Sequence, residues 1–160
     1  MAVKILVAGF GNKFMGDDGF GPRVVEELER TGVPEGVELR DVGLCDATLA
    51  PDLADYDLVI FVDAVKAEGA PGTLYVSEIG KDGVEAAVET ESMITKISLH
   101  QTGVEEIIMT AKAIGTLPRK VVVIGCEVEK VELGEGLSEN VERAIGKAVR
   151  FIFALINDKK

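Results

Sequence analysis

The sequence predicts a single α/β domain built on a largely parallel sheet, and three observations carry that expectation. Strand-like and helix-like segments alternate from one end to the other. The most apolar strand candidates are unbroken runs, the pattern of strands buried on both faces. The 160 residues fall within the about 100–200 of one domain, with no linker, repeat or low-complexity tract to divide them. At this length a folded chain buries roughly 68–70% of its unfolded surface. A hydrophobic content of 47% is enough to fill one core without a disulfide or metal staple.

The elements follow in order. Residues 3–8 form the first buried strand, and a glycine-rich loop, residues 9–21, succeeds it. Pro22 suits a first helical turn, Val24, Val25 and Leu28 give the helix an apolar stripe, and Gly32 and Pro34 end it. Residues 37–42 alternate apolar with charged side chains, which marks a half-exposed strand near a sheet edge. A short helical piece is expected over 47–54. The most apolar strand, 58–62, runs into Asp63, and a shorter strand, 72–76, follows the Gly69-Ala70-Pro71-Gly72 turn. Residues 80–95 carry no clear period and read as loop with partial helix. Thr102-Gly103-Val104-Glu105 fits a capping box, so a helix is expected just after His100, striped by Val104, Ile107, Ile108, Ala111 and Ile114 and closed by Gly115. Residues 121–125 make the fifth strand. Ser138 reads as the N-cap of a last helix that buries Val141, Ile145, Ala148, Val149, Ile152 and Ile156.

Composition excludes several functions. Acidic residues outnumber basic ones by 28 to 17, for a formal charge of −11. The lysines and arginines are scattered, so neither a nucleic acid nor an anionic membrane is an expected partner. No run approaches the roughly 18–20 apolar residues of a membrane helix, and the apolar start is broken by glycine too early for a signal peptide. A soluble, cytoplasmic protein is expected. Cys45 and Cys126 lack CxxC spacing and read as two buried thiols of a reducing compartment.

In open α/β sheets ligands gather beyond the carboxyl ends of the strands. Those positions carry Gly9, Gly11, Asn12, Asp17 and Asp18 after the first strand and Asp63 after the third, while His100 precedes a helix. The loop GFGNKFMGDDGFG follows a strand and opens a helix as a dinucleotide fingerprint does. Phe14 nevertheless occupies the third glycine position, where its ring would obstruct helix packing, and two aspartates would face a pyrophosphate. A cation suits this loop better. Asp17 and Asp18 also admit a plainer reading, one capping the helix and the other solvated. Asp63 ends an apolar run, where an acid without partners would be costly, so it reads as a group with a specific job or as one taking N–H bonds from the next turn. His100 is the single histidine. Two carboxylates and one imidazole at strand ends leave open positions on a transition metal. There is no HExxH helix and no serine in a GxSxG elbow, which excludes zincin and α/β-hydrolase chemistry.

Gly9-Phe10-Gly11-Asn12, then Asp17-Asp18-Gly19-Phe20-Gly21-Pro22-Arg23, Phe61-Val62-Asp63-Ala64 and Lys96-Ile97-Ser98-Leu99-His100-Gln101 together resemble the nickel-iron hydrogenase maturation endopeptidases. The resemblance implies a three-layer α/β/α sandwich of the phosphorylase/hydrolase-like kind, with a twisted, mostly parallel five-stranded sheet. It implies a protease, classed with the aspartic type, that removes a short C-terminal peptide from the precursor of a hydrogenase large subunit after nickel insertion. The family's metal-binding and catalytic positions carry over as Asp18, Asp63 and His100, with the nickel belonging to the precursor. Gly9, Gly11 and Asn12 are expected to shape the floor of the cleft for the substrate tail. The protein is expected to work as a monomer with the large-subunit precursor as its partner. Whether the metal or a carboxylate activates water stays open at this level. A non-catalytic metal-binding assembly scaffold and a Rossmann-like nucleotide-binding module are the competing readings.

Overall fold

Residues 2–43, 47–80, 85–87 and 104–159 are described in the computed structural model. Strands β1 (Ile5–Phe10), β2 (Val37–Gly43), β3 (Leu58–Val65), β4 (Leu74–Gly80), β5 (Glu85–Ala87) and β6 (Lys120–Glu127) form one sheet in the order β2-β1-β3-β6-β4-β5. β2, β1, β3 and β6 run parallel, whereas β4 is antiparallel to β6 and β5 antiparallel to β4. All five expected strands are present. The correction falls on residues 80–95, read as loop with partial helix, where residues 85–87 instead pair with Ser77–Ile79 as a short sixth strand. Three residues are too few to show a period, so a partner strand far along the chain decides their conformation.

The continuous apolar runs are buried because the sheet is covered on both sides. On one face, Ile5, Val7, Leu58, Ile60 and Val62 pack with Phe20, Val24 and Leu28 of α1 (Phe20–Thr31) and with Val141, Ala148, Ile152 and Ile156 of α3 (Glu139–Lys159). On the other, Leu6, Ala8, Phe10, Val59 and Phe61 meet Ile107, Ile108 and Ala111 of α2 (Glu105–Ile114) and Leu49 and Leu53 of the 3-10 helix Ala47–Asp55. Successive strand residues thus feed opposite layers, as the two-residue repeat of a strand requires. Each fully buried Leu, Ile or Phe contributes about 1.5–3 kcal/mol. The result is the expected three-layer sandwich. α1 stops at Gly32 (φ 89°) and α2 at Gly115 (φ 78°), both in backbone regions that glycine adopts readily. β2, with no fully buried residue, is the edge strand its alternation foretold.

Candidate functional site

The glycine loop is shaped by close backbone packing. A Cβ on Gly9 would lie 2.5 Å from the Gly21 carbonyl oxygen, and one on Gly21 would lie 2.3 Å from the Phe10 oxygen and 2.7 Å from the Val62 oxygen. β1 and α1 therefore touch through two glycines. Gly11 sits at φ +131°, and a Cβ there would lie 1.9 Å from the Asp18 carbonyl oxygen. Gly9 and Gly11 thus make room for α1 and for the Asp18 turn. Phe14 does not crowd the helix, as its place in the motif suggested. It turns outward and is half exposed, because the Asn12 side-chain oxygen accepts its N–H at 2.9 Å and closes an Asx-type turn.

Asp17 and Asp18 are neighbours in the chain with opposite surroundings. Asp17 is fully buried and accepts from the Glu129 N–H (2.8 Å), the Lys130 N–H (2.8 Å), the Ser138 N–H (2.7 Å) and the Ser138 hydroxyl (2.7 Å). Burial alone would raise its carboxyl pKa, but these donors together hold it below the ordinary value. It is neither a helix cap nor a solvated acid. It ties the loop after β1 to the segment between β6 and α3, and it takes the hydroxyl of Ser138 that was expected to cap α3. Asp18 is only part-buried, and its carboxylate accepts the Asn12 N–H at 2.9 Å.

Asp63 lies inside β3, opposite Gly125 of β6, and is 7% exposed. Its Oδ1 accepts the Ala64 N–H at 2.9 Å. Gly9 and Val62 are the last residues paired between β1 and β3, so Asp63 stands one residue beyond that pairing. The 3-10 turn Gly16–Gly19, which carries Asp18, packs against β3. Asp63 thus lies near the carboxyl end of β3 and Asp18 in a turn packed against that strand, on the side where ligands of this architecture collect. His100 lies outside the described residues, as do Cys45 and Thr102 of the capping box.

Two features escaped the sequence reading. Glu127, at the end of β6, is 4% exposed and accepts from the N–H groups of Ala67 and Gly69 and from the Tyr75 hydroxyl at 2.7 Å. Burial, then this hydrogen bond, pushes the Tyr75 phenol up to about 12. The signal was a carboxylate closing an apolar run, the same one that singled out Asp63. The second feature is a cleft of about 470 Å³ between Lys13, Gly19, Arg23 and Glu26 on one side and Glu135, Gly136 and Leu137 on the other. Its walls are over 100 residues apart in the chain, so no local pattern announced it. Cys126 is buried as expected, and desolvation pushes its thiol up to about 12, which makes it unreactive.

Fold and site define an α/β protein with a doubly covered sheet, in which the turn carrying Asp18 packs against the strand carrying Asp63. A family model described as hydrogenase maturation protease matches residues 22–155. A hydrogenase expression/formation protein HupD from Rhodobacter capsulatus is 35% identical, over 92% of this chain and 70% of its own length. The hydrogenase 2 maturation protease of Escherichia coli is 33% identical, over 98% and 92%. Among solved structures, a hydrogenase 2 maturation peptidase from a Thaumarchaeota archaeon is 42% identical, covers 96% of this chain and 97% of its own, and has a TM-score of 0.73. The E. coli maturating endopeptidase HybD superposes with a TM-score of 0.78 at 30% identity, over 98% and 94% of the two chains. The chain belongs to the hydrogenase maturation protease family, and its chemistry is peptide-bond hydrolysis in hydrogenase maturation.

Proposed function

We propose that this protein removes a short C-terminal peptide from the nickel-loaded precursor of a nickel-iron hydrogenase large subunit, and that the precursor's nickel is the recognition signal. In this reading Asp18, Asp63 and His100 contact that nickel. Two carboxylates and an imidazole suit a borderline metal and leave room for ligands supplied by the substrate. A metal shared between two proteins makes cleavage conditional on loading and positions the scissile carbonyl. A carboxylate of the trio takes the proton of the attacking water and returns it to the leaving amine, the aspartic-type assignment. The observation that carries the reading is the contrast between Asp17 and Asp18. The first acid is consumed by four internal donors, while the second is held by the Asn12 N–H and left part-exposed in the turn that packs against β3. Asn12 supports substrate binding indirectly in this scheme, by fixing Asp18.

Mass spectrometry of nickel-loaded precursor tests the proposal. Wild-type protein shortens it, and Asp63→Asn and His100→Ala lower the rate at least about 100-fold, the scale of losing a positioned catalytic group. Wild-type rates in both variants would remove the assignment. A protein that binds the precursor and leaves its mass unchanged is a scaffold instead.

A further inference from the structure

Two apolar side chains beside the glycine loop are exposed rather than buried in the core. Phe14 is 52% exposed and Leu133 86% exposed. Their backbones run side by side, because Met15 and Gly134 form a parallel bridge in which Phe14 and Leu133 are the preceding residues. The two segments are locked: the Gly134 N–H donates to the Phe14 oxygen at 2.8 Å, the Gly16 N–H to the Gly134 oxygen at 2.9 Å, and the Asp17 N–H to the Lys130 oxygen at 2.9 Å. The Asp17 carboxylate adds its bonds to Glu129, Lys130 and Ser138 behind them. Their exposure is therefore built into a stiff frame rather than a result of fraying, and a rigid apolar pair loses little conformational freedom on binding.

We propose that Phe14 and Leu133 form the docking surface for a segment of the polypeptide substrate that presents an apolar side chain flanked by basic residues. The proposal rests on the proteolytic reading above. Charge chooses the occupant. The exposed segment around Leu133 carries Glu129, Glu132 and Glu135 against the single Lys130, and Lys13 is already engaged, its ammonium 5.6 Å from the centre of the Phe14 ring. Opposite charge at the rim of an apolar contact speeds encounter and rejects wrong partners. The surface is also joined to the candidate site through one short loop. Phe14 precedes Asp18 by four residues, and the 470 Å³ cleft between Lys13 and Glu135 opens beside it. That cleft is lined by Gly19 of the turn that carries Asp18, which gives a chain docked on Phe14 and Leu133 a route toward it. In a protein of charge −11, a second copy of the same acidic surface is a poor match.

The test uses the full-length chain and nickel-loaded large-subunit precursor, with cleavage followed by mass spectrometry and precursor binding by calorimetry. The double variant Phe14→Ser/Leu133→Ser is expected to raise KM and Kd roughly tenfold or more, as removal of central apolar anchors does, with kcat within about twofold. Glu132→Lys/Glu135→Lys is expected to weaken binding at low salt, with the difference fading as salt rises. Met109→Ser, an equally exposed apolar residue on α2, serves as the control and leaves KM unchanged. If wild type cleaves and the Phe14/Leu133 variant keeps its KM, the docking surface is wrong. If sedimentation shows a dimer that this variant dissociates, the occupant is a second copy and the proposal is likewise overturned. If wild type does not shorten the precursor, the proteolytic reading fails, and calorimetry alone still decides whether these side chains bind it.

Discussion

Two regions at the carboxyl end of the sheet are each organised round a buried carboxylate, and they differ in what that carboxylate holds. Asp17 gathers donors from residues more than 110 positions away and so joins the loop after β1 to the approach to α3. Glu127 gathers the turn after β3 and the start of β4, through Ala67, Gly69 and Tyr75. Neither acid is paired with a cation in these bonds, and both take neutral donors. The difference lies in the neighbours. Beside Asp17 stand Asp18 and the exposed Phe14, whereas the Glu127 network closes on itself, with Tyr75, Val65 and Ala67 packed together. Asp17 and Glu127 each mark a joint of the fold, and in the proposed site chemistry is expected from Asp18, next to the first joint, and not from either of these two acids.

The strongest test of that contrast is Asp17→Ala. It leaves four donors without their acceptor and is expected to cost about 3 kcal/mol or more, measured by urea unfolding. Because Asp18 shares its turn, precursor processing is expected to fall as well, even at temperatures where the variant remains folded. Glu127→Ala is expected to cost about 2 kcal/mol while affecting processing less, and Tyr75→Phe, which removes one donor of that network, about 1 kcal/mol. Equal losses of processing in folded Asp17→Ala and Glu127→Ala would erase the distinction between the regions. The smallest expected effect is in the acid range. Asp17 in the folded chain titrates below its ordinary value of 3.8, so its contribution is complete above that value. As pH falls below it the unfolded chain takes up a proton first, and the contribution disappears once the folded carboxyl is protonated too. Thermal melts between pH 5 and pH 2 check this: Asp17→Asn is expected to lose stability less steeply on acidification than wild type.

How far these features could be read in advance follows from how local they are. β1, β3 and β6 were legible because Ile5, Leu6 and Val7, or Val121, Val122 and Val123, are apolar without interruption, and burial on both faces leaves that trace in the chain. α1 and α3 showed their stripes, and Gly115 its stop. The direction of β4 was not legible, since Leu74, Tyr75 and Val76 would serve a parallel neighbour equally well. Asp63 and Asp18 could be singled out by position at strand ends. Asp17 and Asp18 could not be told apart, because what separates them is a set of donors on residues 129, 130 and 138. Glu127 carried the same mark as Asp63, a carboxylate closing an apolar run, but its donors on residues 67, 69 and 75 did not show, and the cleft between Lys13 and Glu135 exists only once the chain has folded back on itself.

The free rim of the sheet has its own consequence. Glu38, Arg40 and Asp41 interrupt β2, and the Arg40 guanidinium bridges Glu38, Asp52 and the Tyr56 hydroxyl, which in turn donates to Glu38. Burial, followed by the bond to Glu38, pushes the Tyr56 phenol up to about 12, so this lattice keeps its proton through any ordinary buffer. Charged side chains on an edge strand discourage the addition of a further strand, and Glu38, Arg40 and Asp41 place three of them along β2.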